Sequence, residues 1–256
     1  MKKVTALIGS PRKQATYEAV LEFEKNLKSY GEMDFEIVFL KDYRIEYCRG
    51  CCNCFRKGEA HCPIQDDRDL LLEKMERSDG VIFATPNYSF QVSAPMKTLM
   101  DRLAFILHRP RFFGKTFTSV VTQGIIGGNA IEKYLGSVGK NYGFKVTKGC
   151  VLNSLEPVTD DTRRKNTLKI KKASQQFYRE MMRSGIPVPS FFRLLIFRMA
   201  RTSIKSMLND NDYDFRHFKE KGWFESDYYY DTQIGPLKKI TGNMFDFLGG
   251  LMFRHA

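Results

Sequence analysis

The chain has 256 residues, 43% of them hydrophobic and 27% charged, and carries a formal net charge of +12. That length can bury a full core, and the composition is ordinary for a globular protein. The charge suits a polyanion or a phosphate-bearing cofactor. The densest basic run, "TRRKNTLKIKK" (162–172), has no DNA- or RNA-reading motif around it and reads as a solvated helix face, so nucleic acid is not an expected partner.

The opening "MKKVTALIGSPRK" sets two lysines before an apolar run of only six residues, too short for a signal core. No stretch approaches the ~18 apolar residues of a membrane span. A cytoplasmic protein with reduced thiols is therefore expected. "VTALIG" (4–9) is the first strand, and the helix after it places Val20, Phe23, Leu27 and Tyr30 on one face before Gly31 stops it. "FEIVFL" (35–40) is the second strand. A cysteine-rich loop follows, "CRGCCNCFRKGEAHC" (48–62), and then a helix through Leu70–Met75. "GVIFATP" (80–86) is apolar throughout, as a buried parallel strand should be. The next helix carries Met96, Leu99, Met100, Leu103 and Leu107 at spacings of three and four. "TFTSVVTQG" (116–124) is the fourth strand, followed by a helix near 129–142, a fifth strand "FKVTKGCVL" (144–152) and a long helix near 161–183.

This alternation predicts an α/β domain over residues 1–184, with a flavodoxin-like, doubly wound, five-stranded parallel sheet of order 2-1-3-4-5. Ligands of such sheets bind beyond the carboxyl ends of the strands. The donor-rich segments fall at those ends: "GSPRKQAT" (9–16), "TPNYSFQ" (85–91) and "TQGIIGGN" (122–129). The first offers a helix N-terminus, backed by Ser10, Arg12 and Thr16, as a phosphate cradle. It matches neither G-x-x-x-x-G-K-[ST] nor G-x-G-x-x-G. In the second, Pro86 ends the strand, Asn87 suits a turn, and Tyr88 and Phe90 offer flat apolar surface to a ring.

Residues 185–256 form a helical and irregular C-terminal extension. Phe191, Phe192, Leu194, Leu195, Ile196, Trp223 and Phe224 are too many large apolar groups to leave in water. The extension should pack on the core domain or on a second subunit, as a homodimer or homotetramer in which it helps to enclose the ligand site.

Cys48, Cys51, Cys54 and Cys62 spell C-x2-C-x2-C-x7-C, with Pro63 after the last. Three thiolates at successive spacings of three can cap corners of a cubane, whereas structural zinc draws two separated C-x2-C knuckles. A [4Fe–4S] cluster, cluster-free thiols and zinc remain open on the residues alone. Cys52 is left over, and Cys150 reads as an inert core residue. His61 and His108 read as incidental.

"GSPRK" after the first strand, the compact cysteine loop, "SDGVIFATPNYSFQVSAPMKTLMDRL" and "VTQG" together resemble the NADPH-dependent FMN reductase-like flavoproteins, and within them the iron–sulfur flavoprotein branch. The resemblance covers residues 1 to about 155. It implies an FMN site with the phosphate at Ser10, Arg12 and Thr16, the ribityl chain and ring at Pro86, Asn87, Tyr88, Ser89 and Phe90, and a ring-side loop at Thr122, Gln123 and Gly124. Where members continue the first loop with Gly-Asn-Thr, this chain has Gln14-Ala15-Thr16. It also implies an NAD(P)H-dependent FMN oxidoreductase of flavin or quinone reductase type, serving a small-molecule or protein acceptor. A cluster on Cys48, Cys51, Cys54 and Cys62 would relay electrons. The alternative is a non-enzymatic electron carrier of flavodoxin type.

Overall fold

A computed structural model describes residues 1–252. Contacts divide the chain into two compact units. The first comprises residues 1–48, 66–104 and 111–186, and the second comprises residues 49–65, 105–110 and 187–256.

The first unit is built on a parallel sheet. Strands β1 (Lys2–Ile8), β2 (Met33–Phe39), β3 (Gly80–Pro86), β4 (Thr116–Gln123) and β5 (Lys145–Val146) lie in the order β2-β1-β3-β4-β5, and β6 (Cys150–Asn153) also pairs with β4. The flavodoxin-like order is the one expected. β3 is buried at every residue, which explains its uninterrupted apolar run. The expected single fifth strand is broken in two. At the break the Gly149 N–H turns away from the ladder and donates to the Glu132 carboxylate at 2.8 Å. A Cβ on Gly149 would lie 2.4 Å from the Ser119 carbonyl, so only glycine permits the approach.

Helices α1 (Ala15–Tyr30), α3 (Arg68–Glu76), α4 (Ala94–Arg102), α5 (Gly128–Tyr142) and α6 (Asp160–Met182) belong to this unit. Val20, Phe23 and Leu27 of α1 join Ile170, Ala173 and Phe177 of α6 in a core with β1 and β3. Phe23 meets Phe177 edge-on, with centroids 5.8 Å apart, a geometry that aromatic quadrupoles favour. Thr159 caps α6 by accepting the Thr162 N–H, and Asp160 and Asp161 follow at its positive end. The α4 helix stops at Arg102, short of the expected Leu107. Arg102 is instead buried against Asp66 at 2.9 Å.

The second unit has a core of its own: Leu194, Phe197, Ile204, Phe218, Trp223, Tyr228 and Ile234. It contains α2 (Asn53–Arg56) within the cysteine loop, then α7 (Phe191–Met207), α8 (Tyr213–Glu220) and α9 (Pro236–Met252). Arg198 and Arg201 of α7 both donate to Asp246 of α9. Gly242 of α9 lies against the Arg198 guanidinium. The helix thus turns its small and acidic side inward and leaves Leu237, Ile240, Met244 and Phe247 exposed. Phe191, Phe192 and Ile196 are exposed as well, whereas Leu194 and Trp223 are buried.

Candidate functional site

Beyond the carboxyl ends of β1, β3 and β4, the first unit holds a cavity of about 640 Å³. Ser10, Arg12, Thr16, Pro86, Asn87, Tyr88, Thr122, Gln123 and Gly124 line it, all named from the sequence. Ser89 and Phe90 do not line it.

Three loops are tied together at its rim. The Ser10 hydroxyl accepts the Arg12 N–H at 3.3 Å, closing the turn into α1. Arg12 donates to the Tyr88 hydroxyl at 3.3 Å, joining the first loop to the loop after β3. Thr16 and Thr122 share a buried hydroxyl hydrogen bond of 2.7 Å, joining the first loop to β4. The Asn87 N–H donates to the Thr122 carbonyl at 2.7 Å. These bonds hold the cavity walls in register.

Two observations indicate what the cavity suits. Gln14 precedes α1 without a side-chain cap, so the first N–H groups of the helix present donors and the positive dipole end to an anion. Asn87 spends its Nδ2 on the Ile126 carbonyl at 2.8 Å. Its Oδ1 is buried without a partner, and a buried acceptor is costly until a donor reaches it. A phosphate ester at one end and a flat ring bearing an imide N–H at the other match this donor set, so the residues fit FMN.

The turn from Tyr88 to Gln91 closes with reciprocal backbone hydrogen bonds of 3.0 Å. Its central residues have φ of 51° at Ser89 and 62° at Phe90. Left-handed backbone is unfavourable for both, and most of all for a bulky Phe. Phe90 is 65% exposed. Strain of this kind is typical of ligand-clamping loops.

Gln123 does something other than reach a ligand. Its Oε1 accepts the Gly128 N–H at 2.6 Å, and its Nε2 donates to Asn153 at 2.8 Å and to the Ile125 carbonyl at 3.1 Å. The amide braces the loop after β4. Gly127, which the sequence reading did not single out, has φ of 96°. A Cβ there would lie 2.7 Å from the Phe90 ring and 3.0 Å from Asn87 Nδ2. Its signal was the pair of glycines in "TQGIIGGN". The cavity also takes in Glu18 and Glu22 of α1 and Arg163, Asn166 and Thr167 of α6, where the basic run had read as a plain solvated face.

In the cysteine loop Cys48, Cys51 and Cys52 are exposed, Cys54 and Cys62 are half-buried, and none of the five is in a disulfide. Gly50, Cys52 and Gly58 have φ of 63°, 58° and 100°. The donors are right in kind for a thiolate-held cluster. Among the described residues no group of three or more His, Cys, Asp or Glu side chains is gathered to hold a metal ion. Cys150 is buried in the sheet, and burial pushes its thiol up to about 12.

His108 has a fixed place in the second unit. Its Nδ1 lies 2.7 Å from Asp214 Oδ2, and its ring stands 4.3 Å from that of Phe55. Burial, and then the charge of Arg109, hold it below the usual imidazole range. Its carboxylate partner is 106 residues away in the chain, so no local pattern could have found the pair.

Residues 2–154 match the model of a family described as NADPH-dependent FMN reductase. An iron–sulfur flavoprotein of Archaeoglobus fulgidus is 33% identical over 234 residues, covering 86% of this chain and 99% of that protein. Among solved structures, an NAD(P)H:quinone oxidoreductase from Methanothermobacter marburgensis superposes with a TM-score of 0.55 at 20% identity, over 68% of this chain and 96% of that one. RosB with bound 8-demethyl-8-formylriboflavin-5'-phosphate gives 0.56 at 12% identity, over 92% of each chain. At these identities the structural likeness shows the fold.

Proposed function

The chain belongs to the NADPH-dependent FMN reductase family, in its iron–sulfur flavoprotein branch, and is an NAD(P)H-dependent FMN oxidoreductase; on that premise we propose that the cavity beyond β1, β3 and β4 is its flavin site. The convergence of the three loops on one cavity carries this reading. Ser10, Arg12 and Thr16, with the uncapped start of α1, would hold the FMN phosphate. Pro86, Asn87 and Tyr88, which line the cavity, would hold the ribityl chain and ring with Thr122, Gln123 and Gly124 alongside, and the Ser89–Phe90 turn, outside the lining, would act as the clamp beside them. When bound, FMN supplies the redox chemistry between NAD(P)H and an acceptor. The residues themselves bind and orient. The buried Asn87 acceptor selects for a donor-bearing ring edge, the Thr16–Thr122 bond fixes the distance between two walls, and the aromatic side chains of the strained turn offer apolar surface.

The acceptor class that suits an open, polar-lined cavity is a quinone, a free flavin or another small electrophile. Replacing Ser10 and Arg12 together with alanine should weaken FMN binding at least tenfold, about 1.4 kcal/mol, measured by fluorescence titration of the apoprotein. Unchanged affinity would remove the assignment. Steady NAD(P)H oxidation with a quinone acceptor separates an enzyme with turnover from a flavodoxin-type carrier.

We further propose that Cys48, Cys51, Cys54 and Cys62 take up a [4Fe–4S] cluster. Their spacing and the family branch support this. Iron and sulfide content after anaerobic reconstitution tests it, and Cys52→Ser should leave that content intact where serine at any of the four lowers it. The exposed apolar side chains of α7 and α9 support self-association into a dimer or tetramer, which light scattering would read. Cysteines outside any disulfide are in keeping with a reducing, cytoplasmic setting. Among the described residues no helix is long and apolar enough to cross a membrane.

A further inference from the structure

The second unit contains a buried cation that the proposed chemistry does not use. Arg109 has a side chain with no exposed surface. Its guanidinium donates to the Cys54 carbonyl at 2.8 Å and to Glu59 Oε2 at 2.9 Å. It also pairs with Asp214, itself only 1% exposed. The Arg109 Cζ lies 4.9 Å from the centroid of the Tyr213 ring. Asp214 uses its other oxygen on His108, whose ring stands against Phe55.

The two loop acceptors occupy telling positions. Cys54 opens the seven-residue gap in C-x2-C-x2-C-x7-C, and Glu59 begins the short 3-10 turn that ends it, with the Cys62 N–H donating to the Glu59 carbonyl at 3.2 Å. One guanidinium therefore spans the gap. The excursion is also seated on α8: Gly58 has φ of 100°, and a Cβ there would meet the Tyr213 ring at 3.0 Å. Cys48, Cys51 and Cys52, by contrast, are exposed. A planar fork with several fixed donors suits this task, which a lysine point charge does only in part.

We propose that Arg109, held by Asp214, is a positioning residue for the cysteine loop: it fixes the separation of Cys54 from Cys62 and so sets how these thiols are presented. This goes beyond the cluster reading and is testable without it, because thiol presentation can be read in metal-free protein.

The test uses the full chain with its FMN, as wild type, Arg109→Gln, Arg109→Lys and Asp214→Asn. In metal-free protein, the alkylation rate of each cysteine by iodoacetamide is followed by mass spectrometry. Arg109→Gln should speed labelling of Cys54 and Cys62 at least tenfold while Cys48, Cys51 and Cys52 stay within twofold. Arg109→Lys should restore part of the protection, and Asp214→Asn should give a weaker form of the same pattern. After anaerobic reconstitution, Arg109→Gln should retain at least fivefold less iron and show an altered visible spectrum, with FMN per chain unchanged. Unchanged rates at Cys54 and Cys62, or an equal rise at all five loop cysteines, would overturn the proposal. If wild type takes up no iron, the cluster reading fails and the labelling pattern alone decides the role of Arg109. If Arg109→Gln does not fold, Arg109→Lys and Asp214→Asn decide it by the same rates.

Discussion

At the scale of single residues, the strained turn at Ser89 and Phe90 makes the sharpest claim. A non-glycine residue in left-handed backbone costs about 1 kcal/mol or more, so Ser89→Gly should raise stability by about 0.5–1 kcal/mol, seen as a higher urea midpoint. A lowered midpoint would mean that the turn does not adopt this form. Phe90→Gly relieves the same strain but removes the ring, and should weaken FMN binding even as stability rises. Cys150, with its thiol pushed up to about 12 by burial, should resist iodoacetamide at neutral pH in the folded chain, because the thiolate is the reacting species. Ser10, Arg12, Thr16 and Asn87 were legible in the sequence because strand ends followed by donors are a local pattern. The brace at Gln123 and the His108–Asp214 pair were not, since each depends on partners that only folding brings near.

Elements were legible wherever one periodicity runs without competition. β3 and α1 are such cases, and their apolar spacing predicted both the element and its buried face. The fifth strand was misread as continuous because its apolar residues hide a step made at Gly149 by a side-chain acceptor from α5. α4 was read too long because Leu103 and Leu107 keep the helical spacing after the helix itself has ended. Glu36 of β2 pairs with Lys74 of α3, and Asp79, just before β3, pairs with Lys2 of β1. Burial alone would raise Glu36, but Lys74 and then Lys3 outweigh it and lower its pKa below the ordinary 4.5. Asp79 is likewise lowered below 3.8, burial opposing and Lys2 prevailing. A carboxylate depressed in the folded state contributes stability above its unfolded pKa and loses it as pH falls through the folded value. The urea midpoint should therefore decline from about pH 4.5 downward. Glu36→Gln should flatten part of that decline, by no more than about 1 kcal/mol for a partly solvated pair.

Across the whole molecule, the order of the parallel sheet could be read from the alternation of elements, but the makeup of the second unit could not. Nothing in "RGCCNCFRKGEAHC" (49–62) or in "FILHRP" (105–110) announces that these segments share a unit with the chain from Pro187 on. The buried Arg109 shows why: its acceptors come from the loop and from α8, and long-range ion pairing leaves no periodic trace. A chain cut after Ile186 should keep the parallel sheet and the cavity beyond β1, β3 and β4, which belong to the first unit, while Cys54 and Cys62 become as reactive as Cys51. Mass-spectrometric labelling of the truncated chain checks this, and continued protection of Cys54 would show that the loop needs nothing from the extension.

The pairing of Arg109 with Asp214 also imposes an order in time. A ribosome adds roughly 5–20 residues each second and domains tend to fold from the amino terminus onward. The sheet strands can thus emerge and pair while α8 is still unmade, and about 150 residues separate Cys62 from Asp214, a delay of roughly 8–30 s at those rates. Throughout that interval the thiols have appeared but their seat has not. The nascent chain thus passes through a stage in which those sulfurs lack the Arg109–Asp214 pair that later seats their loop.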